Sequence, residues 1–232
     1  MSLESMYIPF GISGIVSAKN PDDAFVLMDD FAKLDTAQWA SVDDNGTGTN
    51  ALDTTLINGV MNVVTSGDDE DYHLMTTPVA HFAFDTGFRT YAKAKLSLKE
   101  ANTDDANIIF GFTSVTTSGN LQSEGGGPAA SYDGAVFFKV DGGTKWQAEY
   151  SDASTQTTDT DCGAFTSEAN YILEILYDGV STVTFYINGS PVHSATVVPA
   201  HLDNMYLVFG VKAGGAKAET LAVDYIFAAQ ER

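Results

Sequence analysis

Basic residues, cysteine and helical periodicity are what this chain has least of. Eleven Lys and Arg stand against 31 Asp and Glu in 232 residues, a formal charge of −20. So one-sided a charge argues against recognising nucleic-acid phosphates or an anionic membrane electrostatically. The single cysteine, Cys162, excludes an internal disulfide. Its neighbours Asp159 and Asp161 raise a thiol pKa, so it reads as an ordinary free cysteine and not a nucleophile. Four histidines, His73, His81, His193 and His201, are scattered with no His-x-x-x-His spacing, and no Gly-x-Ser-x-Gly elbow exists. They read as surface or interface residues. No apolar run approaches the roughly 18 residues of a membrane helix. The first residues lack the basic and continuous apolar regions of a secretory signal, and none is expected.

What is present is apolar and alternating. Hydrophobic residues make up 44% and aromatics 11%, too much for a disordered chain. Ala92, Ala94, Leu96 and Leu98 alternate with Tyr91, Lys93, Lys95, Ser97 and Lys99, the pattern of an antiparallel strand with one wet face. Ile108–Phe112 and Ala135–Val140 are continuously apolar, as strands inside a sandwich are. Trp146, Ala148 and Tyr150 alternate with Lys145, Gln147 and Glu149. Further runs follow at Phe25–Asp30, Tyr171–Tyr177, Val183–Ile187, Met205–Val211 and Leu221–Phe227. Asn58-Gly59, Asp141-Gly142, Asp178-Gly179 and Asn188-Gly189 supply the positive φ of tight turns between them. Such spacing predicts an all-β sandwich or barrel over residues 24–232. Gln122–Ser131, with its Gly125-Gly126-Gly127-Pro128, is expected to be a loop, as is the polar Ser151–Gly163. Residues 1–23 differ: Tyr7, Ile8, Pro9, Phe10, Ile12, Ile15 and Val16 make an apolar arm without clean periodicity. An arm of this kind packs on its own domain or docks on a partner by adding a strand to a sheet.

Four stretches in order carry a family resemblance. They are Asp29-Asp-Phe31 with Trp39; Asn58-Gly-Val-Met-Asn-Val-Val64; Tyr171–Gly179 followed by Val183–Gly189; and the closing Leu221–Phe227. Together they resemble the concanavalin A-like lectin/glucanase fold in its laminin-G-like variants. The resemblance implies a jelly-roll sandwich of two antiparallel sheets with the last strand beside the first and Trp39 inside. A leaderless, acidic domain behind an apolar arm also resembles virion structural proteins of tailed bacteriophages. That likeness implies a non-enzymatic capsid decoration or head-fibre protein, assembled in the host cytoplasm. Its arm would bind capsid or other virion subunits, and homo-oligomerisation is expected in the assembly.

Site chemistry is sparse. Retaining glycosidases need two carboxylates about 5–5.5 Å apart, and in the fold this chain resembles the signature is Glu-x-Asp-x-Glu or Glu-x-Asp-x-x-Glu, with alternation putting the acids on one strand face. None of the nine glutamates stands in that pattern, so no catalytic residue is expected. No cofactor is expected beyond calcium, which relatives hold at a loop edge; Asp68, Asp69 and Asp71 are the best candidates for it, against simple solvated charge. The alternative function is carbohydrate binding at a loop edge, with Trp39, Tyr132, Trp146 and Tyr150 as the available aromatic platform.

Overall fold

The computed structural model describes residues 24–44, 47–56 and 59–232. The arm of residues 1–23 and the turn residue Asn58 lie outside them. In chain order the strands are β1 Ala24–Asp29, β2 Ala40–Asp44, β3 Thr49–Leu52, β4 Met61–Val64 and β5 Tyr72–Thr76. Then come β6 Thr90–Lys99, β7 Ala106–Thr113, β8 Gly134–Lys139, β9 Gln147–Asp152 and β10 Thr155–Asp159. The last are β11 Tyr171–Tyr177, β12 Thr182–Ile187, β13 Ser190–Thr196, β14 Tyr206–Ala213 and β15 Thr220–Glu231. Helix among the described residues is limited to two short 3₁₀ turns, at Ser118–Asn120 and Pro199–His201.

The strands form two antiparallel sheets. One runs β13-β12-β11-β6-β15-β4-β3, and the other β10-β9-β8-β7-β14-β5-β2. Long β15 serves two neighbours along its far edge. Its first residues pair with β4, and beyond a bulge it pairs with β1, Ala24 lying opposite Glu231. The closing strand therefore lies beside the opening one, as the resemblance implies.

Alternation decides which side chains meet between the sheets. Ala92, Ala94, Leu96 and Leu98 of β6 are all buried, facing Phe110, Phe137 and Leu207 of the other sheet in one continuous core. Lys93, Lys95 and Lys99 point the other way. Strands β7 and β8 are buried on both faces for a specific reason. The outward side chains Leu74, Ile109, Val136, Phe138 and Val208 form a second cluster, closed by Leu121, Ala129 and Tyr132 of the loop 114–133. Gly127 is the contact point. It has φ +79°, and a Cβ there would stand 3.2 Å from the Phe138 ring. The glycine-rich stretch is a loop as expected, and it is also a lid.

The polar stretch Ser151–Gly163 differs from expectation, since it contains β10. Thr155, Thr157 and Thr158 suit an edge strand, and Ala153 at φ +50° turns the chain back onto β9. At one end of the sandwich, buried charges are paired. Lys139 stands 2.7 Å from Glu100, and Lys212 stands 2.7 Å from Glu70.

Candidate functional site

The four aromatic candidates for a sugar platform are inside the protein: Trp39 is 2% exposed, Trp146 1%, Tyr132 3% and Tyr150 4%. Trp39 goes in because Asp29 claims it. Its indole Nε1 donates to Asp29 Oδ2 at 2.8 Å, and its ring meets Phe209 edge-on. Trp146 precedes β9 and packs edge-on against Phe165 and Tyr171. Tyr132 descends from the lid, its hydroxyl donating to Glu149 at 3.0 Å. The Tyr150 hydroxyl accepts from the Val198 backbone N–H. With no free ring face, none of the four can stack on a sugar.

The calcium candidates diverge. Asp68 and Asp69 are exposed, whereas Asp71 is fully buried and accepts from the Ser66 backbone N–H. Asp68 accepts from the Ser66 hydroxyl at 3.3 Å, so both it and Asp71 are engaged by Ser66. Among the described residues no group of three or more His, Cys, Asp or Glu is gathered for a metal. His73 corrects the surface reading of the histidines: it is 1% exposed, with Nδ1 on Asp43. Cys162 is buried, and burial first, then Asp159 and Asp161, push its thiol up to about 12. It is inert, as its neighbours implied. Glu149, beneath the lid, takes hydrogen bonds from Tyr132 and Thr158, and burial raises its pKa.

The outward face of the eight-stranded sheet is where polar and aromatic groups converge. Register sets a row across five strands: Tyr186 of β12, Glu174 of β11, Lys93 of β6, Phe227 of β15 and Met28 of β1. A parallel row holds Leu176, Tyr91, Ala229 and Val26. Glu174 is 2% exposed. The Tyr91 hydroxyl donates to it and the Lys93 ammonium stands 3.7 Å away, so the buried charge is matched. Tyr91, Tyr186 and Tyr225 are all held above the usual phenol range, burial being the largest cause for each. They remain neutral hydroxyl groups near neutrality.

The bulge in β15 completes this face. Between Val223 and Tyr225 the register with β6 shifts by one residue. Val223 stays in the core, opposite Leu96, while Tyr225 stands opposite Lys95 on the outside. The extra residue, Asp224, reaches Lys95 Nζ at 2.5 Å. A bulge re-aims side chains in this way. Beside it lies a groove of about 440 Å³, lined by Leu56, Val60, Lys95, Ser97, Asn170, Ala222 and Asp224 among others. It offers an apolar floor with amide, hydroxyl, carboxylate and ammonium groups around it. Lys95 and Ser97 stood on the expected wet face of β6, and Val60, Ala222 and Asp224 lay in stretches that carry the resemblance, but nothing in the sequence marked them as a site.

A second groove, of about 450 Å³, runs along the edge of β1 between Asp35–Gln38 and Thr77–His81. Gln38, one of its lining residues, is held by Asp29, which accepts from Phe31 N, Gln38 Nε2 and Trp39 Nε1. Val26, Met28 and Val79 are exposed around it.

This architecture is the concanavalin A-like jelly-roll sandwich of lectins and glucanases. An endo-1,3-β-glucanase from Streptomyces sioyaensis superposes with a TM-score of 0.64 at 15% identity, covering 97% of this chain and 99% of that one. Peanut lectin gives 0.59 at 12% identity over 89% and 97%. A protein of unknown function from Shewanella oneidensis gives 0.58 at 15% over 90% and 87%. No protein-family model matches the chain, and no curated protein sequence matches it. At these identities the likeness shows the fold, and the fold is shared by binding proteins and enzymes. It carries nothing towards a virion role. That expectation draws on the acidic, disulfide-free, leaderless sequence and on the apolar arm, which lies outside the described residues.

Proposed function

We propose that the protein is a non-catalytic carbohydrate-binding domain whose site is the outward face of the eight-stranded sheet. The observation that carries this is the groove beside the β15 bulge. Lys95, Ser97, Asn170 and Asp224 surround an apolar floor there, with Tyr225 next to it on the same face. Sugar rings present an apolar face and a rim of hydroxyls, which suits a half-buried tyrosine flanked by fixed donors and acceptors. The charge of −20 favours neutral over anionic glycans. The non-catalytic part of the reading is supported by Glu149: it is hydrogen-bonded beneath the lid to Tyr132 and Thr158, a different setting from two carboxylates flanking a scissile bond. The test is a glycan array followed by calorimetry with neutral β-glucan oligosaccharides, with and without chelator. Binding that survives chelation and is lost in Tyr225→Ala at unchanged thermal stability supports the reading. No binding by the wild-type chain, or binding indifferent to Tyr225→Ala, overturns it.

A further inference from the structure

The open face of the eight-stranded sheet carries a second half-buried tyrosine, well away from the groove. Tyr186 of β12 stands opposite Glu174 of β11, and Glu174 stands opposite Lys93 of β6. Lys93 meets β15 at Phe227, two residues along from Tyr225. Tyr186 and Tyr225 are both half-buried. The strands that carry them are three places apart in the sheet, which is about 14 Å. Burial and then the Glu174 charge raise the pKa of Tyr91, Tyr186 and Tyr225, so one carboxylate acts on both ends of the row. Between the two ends the floor is apolar. The Tyr91 and Phe227 rings lie 6.1 Å apart, with Ala229 and Leu176 packed beside them. Charge along the row is balanced pair by pair. Lys93 stands 3.7 Å from Glu174, and Lys95 stands 2.5 Å from Asp224. On a chain of net charge −20, lysines matched in this way make the row locally neutral.

We propose that this face binds a linear neutral oligosaccharide laid across the strands, with one sugar ring on Tyr225 beside the groove and another on Tyr186 over β12. The Lys93 ammonium, between them, donates to the ligand's hydroxyls. The inference rests on the glycan reading and adds to it a second platform, a direction and a minimum length. Exposure sets the direction. Beyond Tyr225 along β15, the outward residues are Phe227, 7% exposed, and Ala229, fully buried, and neither offers a ring a surface to stack on. Across the strands, Tyr186 does. Distance sets the length. A span of about 14 Å is beyond one or two sugar rings, so a ligand that uses both tyrosines has three or more. Two platforms fixed on one sheet act on one chain as linked sites. Affinity therefore climbs with ligand length until both are filled, and then levels.

The test is calorimetry with β-glucan oligosaccharides of two to six rings on the wild-type chain and on its Tyr186→Ala and Tyr225→Ala variants. A pentasaccharide that binds about tenfold tighter than the disaccharide, with that gain lost in Tyr186→Ala at unchanged Tm and disaccharide binding kept, supports the proposal. Equal affinity at every length, or a gain indifferent to Tyr186→Ala, overturns it, while loss of binding in Tyr225→Ala would leave the groove reading standing. No binding at any length overturns both. If Tyr186→Ala lowers Tm, amide chemical shifts of the wild-type chain decide. A hexasaccharide that moves amides of β15, β6, β11 and β12 supports the crossing, and shifts confined to β15 and the groove overturn it.

Discussion

On the seven-stranded sheet the outward row of Leu74, Ile109, Val136 and Phe138 lies under the loop 114–133. On the eight-stranded sheet the corresponding outward position holds Tyr186, Glu174, Lys93 and Tyr225, and a groove opens beside them. Both faces carry a buried carboxylate. Glu149 is satisfied by two hydroxyl donors from tyrosine and threonine, and Glu174 by a tyrosine hydroxyl and a lysine ammonium. The difference teaches that a sheet face becomes core or site according to what crosses it. Where a long loop carrying Leu121 and Tyr132 folds over, the face is a second interior. Where no such loop crosses among the described residues, alternation leaves polar and aromatic groups in registered rows.

The sharpest break of this contrast is Phe138→Ala. If the covered face is true interior, the substitution costs about 3–5 kcal/mol, the range for truncating a buried phenylalanine. Thermal or urea denaturation measures it, and a loss below about 1 kcal/mol would mean the lid packs loosely. The next effect is at the end of the open-faced sheet, where Glu219 precedes β15. It is fully buried, and burial is the main cause that moves its pKa from 4.5 to about 7. The unfolded chain releases this proton near the ordinary carboxylate value, whereas the folded chain keeps it to about pH 7. Stability is therefore lost as pH rises through that window. Glu219→Gln removes that loss, on the order of 2 kcal/mol, so the variant gains on wild type between pH 5 and pH 8. Parallel denaturation curves at the two pH values check it. The smallest effect is Lys95→Ala. Lys95 and Asp224 are each about one-third exposed, so breaking their pair costs between 0 and about 1 kcal/mol. It should nonetheless weaken glycan binding about tenfold in titration calorimetry. Loss of stability without loss of binding would move the site away from the bulge.

Much of the fold was legible because its signals are local. The alternation of Ala92, Ala94, Leu96 and Leu98 placed β6, and the continuous apolar runs placed β7 and β8. Those runs also held the information that both faces of these strands are covered, although not by what. The resemblance put Trp39 inside, and Asp29 is the physical reason. The site was legible only in part. Lys93 and Lys95 stood on an expected wet face, but Tyr186, Glu174 and Tyr225 join them through strand register between distant segments, which no local pattern records. The bulge at Asp224 leaves no mark in Leu221–Phe227. Tyr132, a candidate platform ring in the sequence, is buried because the loop that carries it folds back onto the sheet. β10 was missed because an edge strand facing solvent needs no hydrophobic alternation.

The pairing of Ala24 with Glu231 has a consequence in time. During synthesis β1 leaves the ribosome roughly 200 residues ahead of its partner, an interval of about 10–40 s at ordinary elongation rates. For that interval the most apolar terminal strand among the described residues lacks the one strand it pairs with. The eight-stranded layer cannot close until its central β15 has been made, so this layer is most vulnerable to aggregation just before β15 emerges.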